Sequence, residues 1–217
     1  MTRKRLPGDE RRAQIVTAAR HVFSQHGYDG AKTLQIAKAA KVSEALLYRH
    51  FPSKLALYRA VLRQVFLEQD ETWHELGIHA GGAEGLIQAI HAFMRMAVQP
   101  EVGNDKDRHR MTLGSLAGDG SYASLIYRRS QRHNRNTIAA AHALARADGD
   151  MAGNALTPGA TAMFIEHVGT MIGAISALPP NALPYGIEGE ELARQATWFC
   201  CRGIGLSDAV IARYLDS

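Results

Sequence analysis

Cysteine is nearly absent from this chain. Cys200 and Cys201 are the only two in 217 residues, and they are adjacent. Neighbouring cysteines cannot staple distant segments, so the chain reads as reduced and cytoplasmic. No apolar run approaches the roughly 20 residues of a membrane span, and the charged N-terminus lacks the apolar core of a secretory signal. Ten histidines are present, yet no His/Cys/carboxylate group has metal-ligand spacing, so neither a metal nor another cofactor is expected. Catalytic signatures are missing too. In Gly114-Ser115-Leu116-Ala117-Gly118 the serine stands one place early for a nucleophile elbow. Gly203-Ile204-Gly205 lacks the third glycine and the preceding strand of a dinucleotide fingerprint. These absences argue against an enzyme. No internal repeat or strand-rich region is visible.

What is present is helical periodicity along the whole chain, which predicts an all-α fold of one or two domains. Ile15, Ala19, Val22 and Phe23 form a stripe of helical period over about residues 9–26, with Asp9 as N-cap and Gly27 where a left-handed C-terminal residue is wanted. A second short helix runs from about Leu34 to Ala40, Lys41-Val42-Ser43 makes a turn, and Ser43 caps a third helix from Glu44 to about His50. Leu47 and Phe51 face inward, while Glu44, Ala45 and Leu46 face outward. Two short helices around a tight turn form a helix-turn-helix, in which the start of the second helix meets base edges.

Charge supports DNA as the partner. Residues 1–60 hold twelve Lys or Arg against four Asp or Glu, +8, and the rest holds thirteen against seventeen, −4. A basic N-terminal module on an acidic body suits phosphate binding, where counterion release dominates affinity. A solvated basic face is the bland alternative, and the helix-turn-helix pattern speaks against it. Arg3, Lys4 and Arg5 either enter a minor groove or stay disordered.

The ordered motifs Ile15-Val-Thr-Ala-Ala-Arg-His-Val-Phe23, Gly27-Tyr28, Ile36-Ala37, Val42-Ser43, Leu47-Tyr48 and Phe51-Pro-Ser-Lys54 resemble the DNA-binding domain of the tetracycline-repressor (TetR/AcrR) family. The resemblance covers about residues 10–62. It implies a homodimeric transcription regulator, usually a repressor released from a palindromic or near-palindromic operator by a small molecule. A three-helix head over 1–53 would carry the DNA contacts, and a helical body over 54–217 the ligand cavity and dimer interface. By the same resemblance Thr33, Tyr48, His50 and Lys54 fall at or near phosphate-contacting positions. Ser43, Glu44, Ala45 and Leu46 fall among the base readers, with Leu34 and Gln35 nearby. Glu44 either complements the positive end of its helix or accepts from a cytosine amino group. Two residues depart from the family pattern. Lys32 stands where a capping Thr or Ser is common, which moves the cap to Thr33 or weakens it. Lys41 replaces the usual turn glycine and carries a side chain into a position that is often left-handed.

The body reads as further helices: Lys54 towards Leu76 with a stripe of Leu55, Tyr58, Leu62 and Val65; Ala83–Val98; Asp105–Leu116; Ser121–Ala147; Thr157-Pro158 towards Leu178; Glu188–Arg202; and Ser207–Tyr214. Gly77, Gly81-Gly82, Gly118-Asp119-Gly120 and Pro179-Pro180 supply the breaks. Thr161–Leu178 is apolar around much of its circumference and so must be buried on several sides. In the resembled family the last two long helices, here near 157–178 and 188–202, form a four-helix bundle between subunits, and close approach at Gly169 and Gly173 is the expected packing there. Burial within its own subunit is the alternative. Trp73, Phe93, Met94, Met111, Tyr122, Met163, Phe164 and Met171 are candidates to line a ligand cavity, with Phe66 and Met96 as further apolar residues. His167 is the polar candidate. Met and aromatic residues at helical spacing are more often ordinary core than ligand-lining, and a satisfied core histidine is the commoner reading of His167. Their character suits an apolar or aromatic effector. A DNA-bound structural or cell-division factor with the same head and no ligand release is the alternative function.

Overall fold

A computed structural model of the chain describes residues 7–76, 80–99, 106–153, 156–176, 178, 182 and 184–215. Among these the fold is all-α, with ten helices and a lone bridge between Met151 and Leu206. Arg3, Lys4, Arg5, Gly77, Asp105, Pro179 and Pro180 lie outside the described residues.

The head is α1 (Gly8–Gly30), α2 (Thr33–Ala39) and α3 (Glu44–His50). Pro7, not Asp9, is the N-cap of α1, and Asp9 lies in the first turn, where its charge still favours the helix dipole. Gly27 has φ 66° and ψ 178°, so it kinks the helix rather than closing it, and the chain continues helically to Gly30. Lys41 adopts φ 54°. The turn thus takes its left-handed geometry despite a side chain there, at a cost of about 1–2 kcal/mol. Ser53 caps α4 (Lys54–Leu76) through the Ala56 N–H, at 3.0 Å.

Ile15, Ala19, Phe23, Ile36, Leu47 and Phe51 bury together with Leu57, Val61 and Val65 of α4. The buried line of α4 therefore differs from the expected one: Leu55 is exposed, Tyr58 and Leu62 are half-buried, and of that stripe only Val65 is in the core. This core also takes in Met111, Tyr122 and Ile126, which belong to α6 (Lys106–Ala117) and α7 (Ser121–Ala147). The head is thereby seated on the body through α1 against α6.

A second core joins α5 (Gly82–Val98) to α7, α8 (Pro158–Ser176), α9 (Gly189–Gly203) and α10 (Asp208–Leu215). The Thr157-Pro158 start of α8 is realised as a cap, the Ala160 N–H donating to Thr157 Oγ1 at 3.2 Å. Cys200 and Cys201 lie in this core, and burial lifts the Cys200 thiol to about 12 and Cys201 higher still. Burial disfavours the thiolate at both.

Gly169 and Gly173 correct the expected packing. A Cβ on Gly169 would lie 2.7 Å from Phe93 Cζ, and one on Gly173 2.7 Å from His109 Cε1. Both glycines therefore admit side chains of their own subunit, from α5 and α6, and not a second chain. Gly169→Ala is expected to lower stability in urea unfolding by about 1–2 kcal/mol through overpacking. Gly159→Ala, where a methyl would meet nothing within 4 Å, should be neutral or slightly stabilising. Equal effects at the two sites would refute the tight seat on Phe93.

Candidate nucleic-acid interface and ligand cavity

The outer face of the head is built by α2, the turn and α3. Lys32 precedes α2, and its backbone N–H donates to Gln35 Oε1 at 2.9 Å. Thr33 is the first helical residue rather than the cap. Ser43 caps α3 by accepting from the Leu46 N–H at 3.1 Å. Buried Leu47 fixes the rotation of α3, so that Ser43 and Ala45 are exposed and Glu44 and Leu46 partly so. Leu34 and Tyr48 are also exposed, at 52% and 43%.

Three of these side chains are wired together. Tyr48 Oη donates to Thr33 Oγ1 at 3.3 Å, and Thr33 Oγ1 donates to Glu44 Oε1 at 2.5 Å. Glu44 thus bridges α3 to the start of α2. Nothing in sequence spacing signalled this pairing, because the partners are eleven residues apart on different helices. Lys54 donates to the Asp29 carbonyl at 3.1 Å and stands 4.7 Å from the Tyr28 ring centroid. Its ammonium is held against the end of α1. His50 is half-buried at the end of α3.

Head and body are also joined by polar contacts. Arg20 pairs with Glu68 at 2.7 Å, and Ser24 donates to Asp107 Oδ1 at 2.7 Å while His21 Nδ1 lies 3.2 Å from the same carboxylate. Asp107 is in the first turn of α6, one residue from Arg108, which lines a cavity in the body.

That cavity, about 790 Å³ including its mouth, lies among α4, α5, α6, α7 and α8. Its walls are apolar at Leu86, Ile90, Phe93, Met96, Ile138 and Ile165, and polar at Gln69, Thr72, Arg108, Asn134 and Glu166. Of the expected lining residues, Trp73, Phe93 and Met96 are on the wall. The others are not. Met94, Met111 and Tyr122 are core. Met163 is half-buried off the lining, and Phe66 instead packs under the Arg129 guanidinium. Phe164, His167 and Met171 are exposed on α8, His167 meeting the Tyr127 ring edge-on at 5.0 Å. The expectation of a buried His167 fails because its neighbour takes the inward direction.

That neighbour is Glu166. Burial pushes its carboxyl above the usual range, while Arg108, His167 and a hydrogen bond from Ser130 pull the other way. Sequence reasoning missed it, although Glu166 is the one charged residue between Thr161 and Leu178. A lone acid in an apolar helix was the signal.

An exposed, capped third helix in a basic helix-turn-helix, followed by helices that enclose a cavity, defines a helix-turn-helix protein. Residues 15–61 match the family described as bacterial regulatory proteins, tetR family. Over 60 residues the chain is 53% identical to the HTH-type transcriptional activator FasR of Mycolicibacterium smegmatis, 28% of this chain and 27% of FasR. The alignment thus spans about a quarter of the length of such curated relatives. Two solved structures extend the likeness across the body. One is AibR in complex with isovaleryl coenzyme A and operator DNA, with TM-score 0.64 and 17% identity over 87% of this chain and 97% of that one. The other is the ketosteroid transcriptional regulator KstR2 of Mycobacterium tuberculosis, with TM-score 0.62 and 14% identity over 91% and 96%. The head is thus similar to the tetR family of bacterial regulatory proteins, and the chain as a whole shares its fold with TetR-like regulators.

Proposed function

We propose that the chain is a homodimeric transcriptional regulator, a repressor that leaves its operator when a small, largely apolar ligand fills the cavity. The observation that carries this reading is the exposed, Ser43-capped start of α3 on a head whose sequence is basic. In this reading residues 1–53 bind DNA and 54–217 bind ligand and the second subunit. Ser43, Glu44, Ala45, Leu46 and Leu34 face bases, and Lys32, Thr33, Tyr48, His50 and Lys54 face phosphates. AibR, with operator DNA and an acyl coenzyme A, and the ketosteroid regulator KstR2 share the fold and support a ligand-responsive body. Such a cavity favours a ligand-released regulator over a purely structural DNA-bound factor. Among the described residues no helix is long and apolar enough to cross a membrane, and action on cytoplasmic DNA is part of the proposal.

Dimerisation is supported by what α8 and α9 leave uncovered. Phe164 is 56% exposed, Met171 49% and Phe199 68%, large apolar groups on two adjacent helices. A palindrome read by two heads requires half-sites about 34–36 Å apart, or a multiple of the helical repeat.

Selection of duplexes from a random pool by the full chain should return a palindromic or near-palindromic site. A protein that ignores double-stranded DNA in dilute salt would overturn the proposal. On the selected duplex, Lys54→Ala is expected to weaken binding to all sequences alike and lower the log–log salt slope by about 1. An unchanged slope would remove Lys54 from the phosphate contacts.

A further inference from the structure

Two donors on the cavity wall are already committed within the chain, and two buried acceptors are not fully met. Thr72 Oγ1 donates to the Glu68 carbonyl at 2.9 Å. Asn134 Nδ2 donates to Ser130 Oγ at 3.3 Å, and Ser130 Oγ reaches Glu166 Oε2 only at 3.5 Å. Gln69 is 5% exposed, and its Oε1 has no hydrogen-bond partner among the described residues. Two acceptors therefore line the cavity, the Glu166 carboxyl with one long hydrogen bond and the Arg108 and His167 charges near it, and the Gln69 carbonyl with no hydrogen bond. A buried acceptor left unpaired keeps its desolvation cost, which a donor on a ligand would recover. Arg108 is the single cation on the lining among the described residues, and it already has a partner. An anion entering beside it would bring like charge to Glu166. Phe93 adds an aromatic wall that attracts an ammonium, while the Trp73 ring is already stacked on His133 at 4.3 Å.

We propose that the cavity takes an organic cation, a primary or secondary ammonium on a short apolar or aromatic body, whose N–H groups donate to Glu166 and Gln69. The apolar wall takes the body and the two acceptors take the head, so orientation and charge selectivity come from the same pair. The proposal rests on the ligand-binding part of the function proposed above, and it narrows that ligand from apolar to cationic and amphipathic.

Calorimetric titration of the full chain without DNA tests it with three probes sharing one body: 2-phenylethylammonium, 2-phenylethanol and 3-phenylpropanoate. The ammonium is expected to bind at least tenfold tighter than the carboxylate. Glu166→Gln should weaken the ammonium at least tenfold while changing 2-phenylethanol less than threefold, which also reports that the variant's cavity is intact. Gln69→Leu should weaken the ammonium several-fold. Equal or tighter binding of 3-phenylpropanoate, no binding of the ammonium at millimolar concentration, or an ammonium affinity unchanged in Glu166→Gln would each overturn the ligand class. Duplex binding by the same samples separates the two readings. Its persistence with a failed ammonium preference sinks only the ligand class, and its loss with the preference intact sinks only the DNA-binding assignment.

Discussion

Phe199→Asp is expected to yield a folded monomer that has lost at least a hundredfold in operator affinity. Phe199 is 68% exposed on α9, while its neighbours Cys200 and Cys201 are buried. The side chain therefore contributes little to the fold of its own subunit, and the substitution should leave the helical signal unchanged. In a two-fold dimer the same patch appears on both subunits, so each change is felt twice. Burying one Phe is worth about 1.5–3 kcal/mol, and an unpaired carboxylate placed in the same contact costs more than the lost burial. Two such losses exceed about 6 kcal/mol, or more than four decades in the dimer constant. Operator binding falls with it, because a dimer's second head binds at an effective concentration that adds about 10²–10⁴ in avidity. Sedimentation at low micromolar concentration and anisotropy on the selected duplex measure both effects. A Phe199→Asp protein that still sediments as a dimer would place the interface elsewhere.

Local chemistry made several helix boundaries legible, though not the start of α1 or its kink at Gly27. α7 runs Ser121–Ala147 as its flanking glycines and Asp148 imply, and Thr157-Pro158 starts α8 through a cap and a proline that needs no donor. The inward face of α4 was less legible. Leu55, Tyr58, Leu62 and Val65 make one helical line and Leu57, Val61 and Val65 another, and the choice between them depends on where α1, α6 and α7 sit. At the reading face, Ser43 is a local cap and was visible. The Tyr48–Thr33–Glu44 chain is tertiary and was not. On α8 the difficulty is a helix apolar on two sides. Nothing local separates the face turned to its own core from the face left open, so Gly169 and Gly173 were assigned to a partner and His167 to the interior. One residue on a helix is a turn of about 100°, enough to exchange the exposed His167 for the cavity-lining Glu166.

Acid is expected to loosen the body through His109, the second large effect. His109 lies on α6, 7% exposed, against Gly173 of α8. Burial, then the neighbouring Arg108 charge, pushes its pKa down to about 4. Its Nδ1 has no hydrogen-bond partner among the described residues. In the unfolded chain the same imidazole titrates near 6.5, so between those values the unfolded state binds the extra proton. Stability is then full above pH 6.5 and falls as pH drops towards 4, by about 2 kcal/mol between pH 7 and pH 5. His142, lowered by burial and by Arg146, acts in the same direction. Glu166, raised by burial, acts in the opposite one, because protonation favours its folded state. His109→Gln keeps a polar side chain of similar reach and removes the titration. Urea unfolding at pH 7, 6 and 5 should therefore show the wild-type chain losing about 2 kcal/mol more than His109→Gln over that range. Parallel profiles for the two proteins would mean that His109 takes up its proton in the folded state as readily as in water, and that the α6–α8 contact is not sealed around it.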